Sequence, residues 1–397
     1  MAPEPLLQTP PSAPAAAADG GHTPGTGVRH DQDARTGLDD LLREQRTRKA
    51  SDLHLRSGER PLFRIDGDVV PAADQHPLEH ARLERMLLAI MPERNRREFE
   101  ELNDTDLAYE MEGVARFRVN VFRDRNGIGA VIRAIPSRVV TADELGLSPE
   151  VQRLCDLSKG LVLVTGPTGS GKSTTLSSLI DIINRTRKDH IITIEDPIEF
   201  VHPNKGCLIT QRQVGQHTAS FKNALRAALR EDPDVILVGE LRDLETVSIA
   251  IETAETGHLV FGTLHTSTAP STIERIIDQF PPDRQSQVRV MLSDSLKGVI
   301  SQTLCRRVGG GRVAAREILL TTPAVSNLIR EAKTFQILSV MQTSRRLGMV
   351  TLTDALVELV ESGQVEAQEA YAKAVDKAMI LQALKQKGYS TSFVDRK

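Results

Sequence analysis

Between Gly166 and Ser173 the chain reads Gly-Pro-Thr-Gly-Ser-Gly-Lys-Ser. This is a full match to a pattern in which glycines let successive backbone N–H groups turn inward around a phosphate. Lys172 adds a point charge for the β- and γ-phosphates of ATP, and the Ser173 hydroxyl is the expected ligand of Mg²⁺. Gly166, Pro167, Thr168, Gly169, Ser170, Gly171, Lys172, Ser173 and Thr174 are therefore the candidate nucleotide contacts. The apolar run Leu161–Thr165 leads into the loop, and Thr174 to Ile180 continues it as a helix whose N-terminus carries partial positive charge. A chance match in a flexible Gly/Ser loop would carry neither flank.

Three further segments combine an apolar run with polar residues at its end. In Ile191-Ile192-Thr193-Ile194-Glu195-Asp196-Pro197, two carboxylates emerge together, suited to hold Mg²⁺ through its waters. A solvated Asp-Pro turn is the competing reading. In Val235-Ile236-Leu237-Val238-Gly239-Glu240-Leu241-Arg242, a buried strand ends in a carboxylate. Glu240 is placed to orient and deprotonate an attacking water, or else to pair with Arg242. Gly239 stands where a metal-binding Asp is usual, so Mg²⁺ would rely on Ser173, with Glu195 and Glu240 acting through water. In Gly257-His258-Leu259-Val260-Phe261-Gly262-Thr263-Leu264-His265, two histidines bracket one strand. His265 is expected to sense the γ-phosphate and His258 to act at a subunit boundary, against a purely structural role for either. No third ligand at suitable spacing favours zinc.

Positioning these ends requires a sheet. Leu161–Thr165, Ile191–Glu195, Val235–Gly239 and Leu259–Leu264 are short apolar runs separated by helical stretches, such as Ser220 to Arg230. That alternation predicts a parallel α/β sheet covered on both faces, with its ligand site at the strands' C-terminal edge. Upstream, residues 1–35 are rich in Pro, Ala and Gly and are expected to be disordered. Residues 36–140 read as a small α+β domain. It has a hairpin at Asp66-Gly67, a helical stretch over Leu83–Phe99, and strands Ala115–Phe122 and Gly129–Ile135 joined at Asn126-Gly127. Residues 141–312 form the α/β domain, 313–386 read as helical, and 387–397 as a frayed tail.

The composition narrows the function. The 50 Lys and Arg nearly balance 53 Asp and Glu, for a net charge of −3. Nothing global therefore draws the chain to nucleic acid or anionic lipid. A translocase of single strands would want stacking aromatics, whereas the chain has no Trp and three Tyr. No run is long enough to span a bilayer, and three scattered cysteines suggest a reducing, cytoplasmic compartment.

The four segments, in this order and spacing, resemble the secretion and pilus ATPase superfamily, most distinctively over Leu229–Asp243. Within it the chain is similar to PilT-type retraction ATPases. Ala50–Leu55, Arg64–Asp68, Ala115–Asn120, Thr322–Glu331 and Gly348–Leu352 carry that likeness. The resemblance implies a RecA-like P-loop core, a PAS-like N-terminal domain and a homohexamer. It also implies hydrolysis driving rigid-body rotation between the domains. The implied partner is an inner-membrane platform protein (PilC-like), with a PilU-like paralogue beside it. No membrane span and no nucleic acid are implied. Arginines of the N-terminal domain close over the phosphates in this family, and Arg118 and Arg133 are the candidates here. The family often places Arg just before the hairpin Gly; here Asn126 stands there and Arg125 precedes it. Extension and type II secretion ATPases, the alternative class, typically carry another N-terminal domain and a four-cysteine zinc insert, absent from this sequence. A PilU-like accessory role is the other alternative.

Overall fold

The computed structural model describes residues 26–65, 67–135 and 139–394, with side chains from Ala34 onward. The chain divides between Ala134 and Ile135 into two compact units, slightly ahead of the boundary expected at 140. Most of the extension expected to be disordered lies outside the described residues. From Thr26, however, the chain is already helical.

The first unit contains α1 (Thr26–Thr47), β1 (Asp52–Arg56), β2 (Leu62–Ile65), β3 (Asp68–Pro71), α2 (His80–Leu88), α3 (Glu93–Leu102), β4 (Asp104–Met111), β5 (Ala115–Asp124) and β6 (Gly127–Ile135). Its six-stranded sheet has the order β3-β2-β1-β6-β5-β4. The strands of both expected hairpins pair, β2 with β3 and β5 with β6, although Asp66 of the first turn lies outside the described residues. Leu38, Leu42, Leu83 and Phe99 from the helices join Leu53, Phe63, Phe117 and Ile132 from the sheet in one core. Each such side chain contributes about 1.5–3 kcal/mol. The single helical stretch expected over Leu83–Phe99 is two helices, because Pro92 lacks an N–H and starts α3 instead. Strand β4 was not expected. Its alternation is plain in retrospect, with Thr105, Leu107 and Met111 buried and Asp104, Asp106 and Glu110 exposed.

The second unit runs through α4 (Pro149–Gln152), β7 (Gly160–Thr165), α5 (Lys172–Thr186), β8 (His190–Glu195), β9 (Leu208–Gln213), α6 (Phe221–Ala228) and β10 (Val235–Val238). It continues with α7 (Leu244–Thr256), β11 (Leu259–Leu264), α8 (Ala269–Ile277), α9 (Pro282–Ser295), β12 (Leu296–Arg306) and β13 (Arg312–Leu320). Helices α10 (Pro323–Arg330), α11 (Ile337–Thr343), α12 (Leu352–Glu361), α13 (Ala367–Lys373) and α14 (Lys377–Gln386) complete it. The sheet order is β13-β12-β7-β11-β10-β8-β9. Six strands are parallel and only β13 is antiparallel to its neighbour. Both faces are covered. Leu161 and Leu163 of β7 point into one core with α6 to α9, while Val162 and Val164 point into another with α5.

Two expectations for the C-terminal part are corrected. The region after 312 opens with a strand, β13, paired to β12 over nine residues of register. Neither strand was foreseen, because both are interrupted by polar residues that turn out to be buried. Nor does the tail fray from 387 through Val394, the last described residue: the Phe393 ring lies 5.6 Å from that of Tyr371, and Tyr389 packs on the α12–α14 core. Among the described residues, no helix is long and apolar enough to cross a membrane.

Candidate functional site: a phosphate cradle at the sheet edge

Parallel register brings Thr165 of β7 level with Leu264 of β11, and Ile194 of β8 level with Val238 of β10. The loop after β7, Glu195, Glu240 and His265 therefore emerge from one edge of the sheet, where an open α/β sheet builds its ligand site.

The loop has the strain its sequence requires. Gly166, Gly169 and Gly171 have φ of +140°, +78° and +87°, values that favour glycine. At Gly166 space forbids anything else. A Cβ would overlap the Gln302 carbonyl oxygen and lie 2.6 Å from Ser170 Oγ. Gly166→Ala should therefore distort the loop and weaken ADP binding at least ~10-fold. Calorimetric titration with ADP checks this, and wild-type affinity would refute it.

Lys172 opens α5 and folds back on the loop, donating from Nζ to the carbonyls of Gly166 (2.9 Å) and Pro167 (3.3 Å). Burial lowers its ammonium below the usual lysine range, and the charges of Glu240 and Glu199 oppose that shift. The cradle, the helix N-terminus and this lysine fit a polyphosphate.

Glu240 is held from two sides. Its Oε1 lies 3.0 Å from His265 Nε2, and its Oε2 2.7 Å from an Arg242 nitrogen. Burial opposes its ionisation, but Arg242 and then His265 outweigh burial and hold the carboxyl below the usual carboxylate range. The ion pair with Arg242 is thus present, and it keeps Glu240 charged beside Lys172. Gly239 has a steric reason. A Cβ there would meet Ile194 O at 3.1 Å and Glu195 Cα at 3.3 Å, so the usual Asp would crowd β8.

Glu195 is not in a solvated turn. Its Oε1 accepts from Thr193 Oγ1 (2.6 Å) and Gln211 Nε2 (3.1 Å), and burial pushes its carboxyl up. His258 is placed differently from the other site residues. It precedes β11, beside Gly160 at the start of β7, six residues or about 20 Å of strand from the cradle. The structure does not bring it to its own chain's phosphate loop. Arg118 and Arg133 lie in the first unit, where Arg118 Nε is 3.5 Å from Asp106 and Arg133 Nε 2.8 Å from the buried Asp52. Among the described residues, no three His, Cys, Asp or Glu side chains gather as a metal site.

One residue at the cradle escaped the sequence reading. Gln302 of β12, 132 residues beyond Ser170, donates from Nε2 to the Ser170 carbonyl at 2.7 Å. No short motif marks it.

A family profile described as Type II/IV secretion system protein matches residues 31–310. The chain belongs to that family. Among curated members, it is 53% identical to the type IV pilus retraction ATPase PilT of Pseudomonas aeruginosa over 85% of this chain and 98% of that protein. It is 40% identical to the type IV pilus ATPase PilU of the same organism, over 84% and 87%. A crystal structure of the pilus retraction motor PilT with bound ADP superposes with a TM-score of 0.81 at 46% identity, covering 86% of this chain and 98% of that one. The second unit thus has the RecA-like P-loop fold of this family, and the chain is an ATP-hydrolysing enzyme within it.

Proposed function

We propose that this chain is an ATP-hydrolysing hexameric motor that powers type IV pilus retraction. The observation that carries the reading is Glu240, kept ionised by Arg242 and His265 at the edge that also presents Lys172 and the glycine cradle. Gly166–Thr174 hold the nucleotide's phosphates. Glu240 orients the attacking water and takes its proton. His265, sharing a hydrogen bond with Glu240, reports on the γ-phosphate. Mg²⁺, when bound, supplies charge at the phosphates; Ser173 would hold it, with Glu195 and Glu240 reaching it through water. The phosphate-closing part of Arg118 and Arg133 and the subunit-boundary part of His258 belong to this proposal. So do an inner-membrane platform protein as partner and a PilU-like paralogue beside the motor.

Lys172→Ala tests it. Purified wild-type protein should release phosphate from ATP, and the variant should lose at least ~100-fold of that activity. Cells carrying only the variant should keep their pili and cease twitching. Bald cells would instead assign the chain to pilus extension. Normal pili with normal motility would remove it from the retraction pathway.

A further inference from the structure

We propose that Gln302 is a positioning residue of the ATP site, the group that aims the phosphate loop's amides. The inference rests on the ATP-binding reading above and adds a determinant outside every motif of the loop.

Gln302 is 3% exposed, and its carboxamide is used at both ends. Nε2 donates to the Ser170 carbonyl at 2.7 Å, and Oε1 accepts from Thr175 Oγ1 at 2.9 Å. Ser170 lies in the loop, and Thr175 in the first turn of α5. One side chain thus ties the end of the cradle to the start of the helix behind it.

The consequence for the loop follows from peptide geometry. A trans peptide is planar, and its C=O and N–H point in opposite directions. Drawing the Ser170 carbonyl toward β12 therefore turns the Gly171 N–H away from β12. The Thr175 bond sets where α5 begins, and with it the direction of the N–H groups of its first turn. The glycine requirement follows from the same neighbour: a Cβ on Gly171 would lie 3.2 Å from Gln302 Nε2, and one on Gly166 would overlap the Gln302 carbonyl. The strand itself is anchored next door, where Ser301 Oγ and Thr165 Oγ1 share a buried hydrogen bond of 2.7 Å.

The test uses two substitutions in the full chain. Gln302→Met keeps the length and volume and removes both hydrogen bonds. It should weaken ADP binding about 10- to 100-fold and raise the KM for ATP more than it lowers kcat. Gln302→Glu supplies the internal control. Ionised, it accepts from Thr175 but cannot donate to Ser170 and adds charge beside the phosphates. Protonated, it donates and accepts as the amide does. ADP affinity of the Glu variant, relative to the Met variant, should therefore recover as pH falls from 8 to 5.5, a change that a merely space-filling role would not produce.

Should the Met variant fail to fold, Thr175→Val removes one of the two bonds at constant shape and should weaken ADP binding several-fold. A folded Met variant (or the Val variant in its place) that binds ADP within twofold of wild type would overturn the proposal. So would a Glu variant whose affinity follows pH as the Met variant's does. Phosphate release by the wild-type protein tests the ATPase reading separately, and ADP affinity reads Gln302 whatever that result.

Discussion

Glu240→Gln should cut the turnover number for ATP by ~10²–10⁴-fold while leaving nucleotide binding nearly intact. The two halves of this expectation come from different parts of the edge. Binding belongs to the cradle and Lys172, whose contacts do not pass through Glu240. Proton transfer needs a charged acceptor, and glutamine keeps the size and one oxygen but lacks the charge. Arg242 can still donate to the amide oxygen, and the amide N–H can donate to an unprotonated His265 Nε2, so the side chain should stay in place. Steady-state phosphate release and ADP titration check the two halves. Turnover within ~10-fold of wild type would remove Glu240 from the chemistry. The depressed ionisation of Glu240 adds a sign. A carboxyl held below the usual range keeps its charge as pH falls from 8 to 6, so no loss of turnover over that interval should trace to this residue.

The largest expected effect on stability lies at Glu317. This β13 carboxylate is 2% exposed, and among the described residues its hydrogen-bond partners are two backbone N–H groups. Its Oε1 accepts from the Ala269 N–H at 2.6 Å and its Oε2 from the Leu352 N–H at 3.1 Å. Those amides open α8 and α12, so one side chain satisfies two helix N-termini. Glu317→Ala would orphan both donors, at about 1–3 kcal/mol each, and leave a cavity. Removing a buried charge offsets part of this. A net loss of about 2–3 kcal/mol, or roughly 5–10 °C in melting temperature, is expected. An unchanged Tm would mean that the two helix starts find other partners.

Burial raises the Glu317 carboxyl above its ordinary value, against the opposing pull of the two N–H bonds. The folded state therefore holds this proton more tightly than the unfolded chain. The resulting stability is complete below the unfolded pKa of about 4.3 and is lost as pH rises through the folded value. Glu317→Gln has no such proton. Its stability relative to wild type should improve across that interval, as denaturant titration at several pH values would reveal.

The sequence was most informative where one local pattern decides one local structure. The glycine loop, the apolar strands β7, β8, β10 and β11, and the Asn126-Gly127 hairpin are of this kind. Glu240 and His265 could be placed because each directly follows such a strand. What stayed hidden is non-local or buried and polar. Strands β12 and β13 carry Gln302, Arg316 and Glu317 in their middles, which breaks the apolar signature, and each of these side chains finds its partner far away in the sequence. His258 lies at the opposite end of β11 from His265. That position is away from its own chain's cradle, and the sequence reading likewise assigns the two histidines separate roles.

In the register of β12 with β13, Gln302 faces Arg316 and Ser301 faces Glu317, so neighbouring pairs look to opposite sides of the ribbon. One side grips the floor of the triphosphate seat; the other grips the first residues of the helix after His265 and of the helix that leads into α13 and α14. One two-stranded ribbon thus fastens both the phosphate loop and the starts of two helices, so the nucleotide seat and the C-terminal helices share a single support.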